Sequence, residues 1–151
     1  MSTPALYDPT ELAAMTKRIR SVRADSARQW GKMDAAQCLA HCQVALRVAL
    51  GDVQLKRGLL GWIFGPIAKR QLLAPGPFGR NLPTAPEFKV SGPRDLEPER
   101  AALLALVERF GRGGPDGVTK APHPFFGHLT PEDWNTLQWK HLDHHLRQFG
   151  S

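Results

Sequence analysis

With 151 residues and a mass of 16.7 kDa, 42% hydrophobic and 23% charged, the chain reads as one globular domain, 1–151, and not as a disordered or membrane-embedded protein. Twenty Lys and Arg against fourteen Asp and Glu give a net charge of +6 and a pI near 9.8. The basic clusters (Lys17 to Arg28; Lys56, Arg57, Lys69 and Arg70) lack the interleaved aromatics of a single-strand groove, so they read as solvated surface and not as a nucleic-acid site.

Five helices are predicted. The first has Asp8 as cap and Pro9 at its first position, and runs to about Ala24. The second opens at Asp34 and runs to Leu50, where Gly51 terminates it. The third covers roughly Leu55 to Leu73 and is kinked at Pro66. Its apolar stretch, Gly58 to Ala68, is too short to span a bilayer, so no membrane partner is expected.

An extended connector follows, with five prolines and three glycines between Ala74 and Arg94. The fourth helix, about Glu97 to Phe110, ends at Gly111. After a second Gly- and Pro-rich loop, Thr130-Pro131-Glu132-Asp133 caps the fifth, which continues to Phe149. No strand pattern stands out. Helices joined by these loops argue for an all-α antiparallel bundle. Met1 to Asp8 shows no signal peptide, and Cys38 and Cys42, four apart on a helix, read as small buried thiols in a reducing, cytoplasmic setting.

Chemistry centres on the last helix. At about 100° per residue, Trp134, Leu137, Leu142, Leu146 and Phe149 form an apolar stripe that also contains His141 and His145. Lys140, Asp143 and Arg147 are expected to face away, and His144 lies at the edge. Two imidazoles one turn apart can converge on one metal ion, although buried histidines also serve as hydrogen-bonded core residues. The second helix offers a third ligand in His41, with Cys38 or Cys42 as sulfur alternatives, while Gln43 and Arg47 face out. Gln148 is a candidate to orient a ligand histidine or a bound water. His123 and His128 flank Phe125 and Phe126 in a loop that either covers the site or plugs the bundle end with its histidines solvated.

Trp30 with Leu39-Ala40-His41, and His141-Leu142-Asp143-His144-His145 near the C-terminus, resemble the DinB/YfiT-like superfamily. The run His123-Pro124-Phe125-Phe126-Gly127-His128-Leu129-Thr130 followed by His141 to Phe149 resembles a bacterial branch known only as a domain of unknown function. The likeness covers most of the chain from Trp30 onward. It departs where many relatives follow the last ligand with Arg-Gly-Gln, since Leu146-Arg147-Gln148 stands here. The resemblance implies a DinB-like four-helix bundle with an extra helix, and one divalent metal, nickel or zinc, on His41, His141 and His145; His144, at the edge of the stripe, is the alternative ligand. It further implies a homodimer, and its characterised relatives transfer or isomerise with a low-molecular-weight thiol. Three imidazoles that leave a metal position open would suit either thiol transfer to an electrophile on a small molecule or metal-assisted hydrolysis. The rival expectation is a non-catalytic bundle.

Overall fold

The structure is a computed structural model and describes residues 3–151. It contains α1 (Pro9–Ser21), α2 (Ala35–Ala49), α3 (Leu59–Leu73), α4 (Leu96–Gly113) and α5 (Pro131–Arg147), with short 3-10 turns at Pro86–Phe88 and Gly114–Gly117. Among the described residues there is no strand, only an isolated bridge between His123 and Gly127. The protein is all-helical.

Helix starts follow local chemistry. The Asp8 carboxylate accepts from the Thr10 and Glu11 amides. Asp34 and Gln37 form a reciprocal capping box, as do Thr130 and Asp133. Each arrangement satisfies amide donors that a helix start leaves open, and such a cap contributes about 1 kcal/mol. Gly51, at φ +79°, takes the left-handed conformation that closes α2.

The inner helices pack α2 against α4, α1 against α4, α2 against α5, and α3 against α5. Leu6, Met15, Ile19, Leu46, Leu103, Val107, Phe110, Trp134 and Leu142 make the centre of the core. Three boundaries differ from the expectation. α1 stops at Ser21 because Val22 turns extended, and α3 begins only after Gly58. α3 continues through Pro66 to Leu73, as expected, and the third difference is at the end of α4.

α4 runs past Gly111 to Gly113, and Gly114, at φ +62°, ends it instead. Gly111 is glycine for packing. A Cβ there would lie 2.7 Å from both the Leu6 carbonyl oxygen and the Leu12 side chain, so α4 and the N-terminal segment close only over a missing side chain.

Gly111→Ala is therefore expected to destabilise the fold by about 1–3 kcal/mol in urea unfolding, the range for overpacking. Gly113→Ala, with no atom near its Cβ and an α-helical backbone, should be neutral or mildly stabilising.

Candidate metal centre

α2 and α5 bring His41, His141 and His145 together. Each has a ring nitrogen within 4.8 Å of the others, and the group could hold a metal ion. His141 and His145 are four residues apart on α5, so they project from one face, and His41 meets them from α2. The closest approach is Nε2 of His41 to Nε2 of His141, 3.0 Å.

Partners on the far side of two rings fix which nitrogen is available. Nδ1 of His41 lies 2.6 Å from the Phe88 carbonyl oxygen, and Nδ1 of His145 lies 2.6 Å from Oε1 of Gln148. Both oxygens are acceptors, so each Nδ1 carries the proton and donates it, leaving Nε2 as the lone pair. Gln148 is held in turn by its Nε2 donating to the Trp30 carbonyl at 3.3 Å. Nδ1 of His141 is buried with no partner.

Burial pushes all three imidazoles toward the neutral form. His145 falls to about 3, chiefly through desolvation and then through the positive charge His41 would carry. Desolvation lowers His141 far below its ordinary value, and it lowers His41 against the opposing hydrogen bond to Phe88. Neutral imidazoles are what a metal requires of its ligands. The donor set is three nitrogens, because Asp143 is engaged by Arg18 at 2.9 Å and Arg147 at 3.0 Å. Cys38 and Cys42 are buried free thiols outside the group, and Cys38 faces the His145 carbonyl and Gln148.

Other candidate residues take different roles. His144 is half-buried beside the group, edge-on to the Trp30 and His145 rings. His128 is exposed. His123, expected to be solvated, is buried against Phe126 and Trp134. Its Nδ1 accepts from the Phe125 and Phe126 amides at 3.0 and 3.2 Å, so the ring staples the loop as a neutral acceptor.

Gln43, Lys140 and Asp143, expected on outward faces, are buried as well. Gln43 donates to Glu99, while Lys140 donates to the Leu72 and Ala74 carbonyls at the end of α3. The Phe88 carbonyl had no sequence signal, because any residue type supplies that oxygen.

The family described as "Protein of unknown function (DUF1569)" matches residues 4–151, and the chain belongs to it. No curated protein and no solved structure matches the chain.

Desolvation, and then the Arg57 charge, hold His123 near 4, below its unfolded value of 6.5. Its neutral burial thus stabilises the fold fully above pH 6.5, and that stability is lost as pH falls toward 4. From pH 7.5 to 5 the loss through this residue should be about 2 kcal/mol in urea unfolding. His123→Asn keeps an acceptor near Nδ1 without the titration, so the variant should lose less over that interval. Equal losses in both proteins would show that His123 protonates freely in the fold.

Proposed function

We propose that this member of the DUF1569 family is a divalent-metal protein of DinB-like architecture, using His41, His141 and His145 as ligands, with activity toward a small-molecule substrate. The observation that carries the reading is the convergence of three neutral imidazoles from two helices, two of them already oriented by hydrogen bonds at Nδ1. Such outer partners are the usual companions of metal-bound histidine. The order of packing, α1 on α4, α4 on α2 and α2 on α5, supports a four-helix bundle with α3 as the additional connecting helix.

All-imidazole donors suit zinc or nickel, and three of them leave room for a further ligand. A divalent ion in that position supplies Lewis acidity, enough to make water or a low-molecular-weight thiol nucleophilic at neutral pH. The chain's own contributions are positional. The Phe88 carbonyl and Gln148 hold two rings in one tautomer, and burial keeps them unprotonated. His144, half-buried edge-on to the His145 ring, is the candidate to contact a substrate beside the group. Thiol transfer to an electrophile and hydrolysis both use this arrangement.

One observation favours a second, non-catalytic reading in which the ion stabilises the bundle. Two cavities, of about 200 and 140 Å³, lie elsewhere, along Thr3, Pro75 and Trp139 and along Val48, Leu55 and Pro122, and none of the three histidines lines either.

Tag-free protein grown with nickel and zinc should carry close to one equivalent of metal by elemental analysis. His145→Ala should fall below about a tenth of an equivalent while His144→Ala stays loaded, and the reverse pattern would move the ligand set to His144. Gln148→Leu should keep the fold and weaken metal affinity roughly 10- to 100-fold, the range for loss of a ligand's outer partner. Metal-dependent consumption of a thiol with an electrophile, absent in His145→Ala, separates catalysis from a structural ion.

A further inference from the structure

α3 arranges its side chains in the opposite sense to an ordinary surface helix, which turns an apolar stripe toward the core. Its buried residues are Gly61, Gly65 and Leu72. A Cβ on Gly61 would lie 2.8 Å from the Pro124 carbonyl oxygen, and one on Gly65 2.4 Å from that of Phe125. The small residues therefore face the protein, and the large ones do not. Leu59, Leu60, Trp62, Ile63, Phe64 and Ile67 are between 50% and 73% exposed. At three- and four-residue spacing they form a continuous apolar surface, unlike the scattered leucines of an ordinary exterior.

The helix is held in this orientation. Lys140 reaches from α5 to the Leu72 and Ala74 carbonyls. Lys69 bonds the His128 carbonyl at 2.8 Å and pairs with Asp133 at 3.0 Å. Rotating the apolar side inward would drive bulky chains into the Pro124–Phe125 backbone, where the glycines now fit.

Charge identifies what covers the surface. Between Asp52 and Glu87 there is no acidic residue, whereas Lys56, Arg57, Lys69, Arg70 and Arg80 all fall in that interval. Lys69 is neutralised by Asp133, but Lys56 and Arg70 are exposed at opposite ends of the apolar stretch. Arg57 stacks over the Trp62 ring, 4.1 Å from its centroid, but turns its guanidinium inward to the Gly61 carbonyl. A second copy placed face to face would set these cations near their equivalents. A bilayer rich in anionic lipid offers acyl chains to the apolar residues and phosphates to the cations without requiring a complementary shape.

We propose that α3 is a docking helix that lies in the plane of an anionic lipid bilayer, with its exposed apolar residues at the headgroup–acyl boundary and Lys56 and Arg70 among the phosphates. No helix among the described residues is long and apolar enough to cross a membrane, and α3, at 15 residues, is about 22 Å long, so it rests on the surface. The proposal stands independently of the histidine site.

The test is flotation of the full chain with vesicles of phosphatidylcholine alone, or with about a third phosphatidylglycerol. Binding to the anionic vesicles should be at least ten-fold stronger and should weaken with salt. Leu60→Ser/Phe64→Ser/Ile67→Ser should reduce it ten-fold or more with an unchanged circular dichroism spectrum, and Phe64→Ser alone should act in the same direction if the triple variant fails to fold. Lys56→Gln/Arg70→Gln should remove most of the preference for anionic lipid. Absence of flotation on both vesicle types, or equal flotation of wild type and Phe64→Ser, overturns the proposal. A dimer in sedimentation velocity that the serine variant converts to monomer, with no vesicle uptake, would assign the surface to self-association instead.

Discussion

The structure depends on burying α5, a helix that carries polar residues into the interior alongside its apolar stripe. Asn135, Gln138, Lys140, Asp143 and His145 are all withdrawn from water along it. Burying such groups without partners costs several kcal/mol in total, so each needs a donor or acceptor close by. Their partners come from different parts of the chain. Asn135 holds the N-terminal segment through the Leu6 amide and the Pro4 carbonyl, and Gln138 reaches the Ala45 carbonyl of α2. Lys140 closes the end of α3, and Asp143 takes Arg18 of α1. α5 is thus a polar spine to which α1, α2, α3 and the N-terminal segment are each tied by at least one specific contact.

The histidine group belongs to the same scheme. His141 and His145 continue the series of buried polar residues on α5, but they differ from the others in what satisfies them. Lys140 and Asp143 are charged groups neutralised or solvated by fixed protein atoms. The imidazoles instead present ring nitrogens to one another, with His141 left holding an unpartnered Nδ1. Mutual approach of basic nitrogens at 3.0 Å is a poor way to satisfy three rings, since at most one proton can be shared along each contact. The cluster could hold a cation, and the hydrogen bonds at Nδ1 of His41 and His145 leave Nε2 as the available lone pair on each.

Legibility from sequence divided along physical lines. Caps at Asp8, Asp34 and Thr130 could be read because their chemistry lies within three or four residues. The pair His141 and His145 could be read for the same reason, and His41 because it follows a run of small and apolar residues on a helix that must face α5. Lys140 and Asp143 were misplaced because a charge on a helix is ordinarily solvated, and nothing local announces a partner as remote as Arg18 or the Leu72 carbonyl. Gly111 looked like a terminator because glycine after a helical run usually ends it, and its closeness to Leu6 is a tertiary fact. His123 was hidden by its loop, where the two amides it accepts are donors every residue carries. The Phe88 carbonyl is the extreme case, since its function does not depend on the side chain at all.

α3 and α5 are two departures from one rule, and each makes the other intelligible. A helix normally hides its apolar residues and shows its polar ones. α5 departs from it by burying polar residues beside its apolar stripe, most of them opposite a polar partner; α3 reverses it with glycines where the backbone of a loop must pass. Lys140 joins the two. Its ammonium group terminates α3 by taking the carbonyls that a helix end leaves open, and it immediately precedes His141. The register that points Lys140 at α3 is therefore the register that points His141 at His41, because consecutive residues on a helix are separated by about 100°. A rotation of α5 that relaxed one contact would dislodge the other. One orientation of α5 thus serves both the histidine cluster and the anchoring of the C-terminal end of α3.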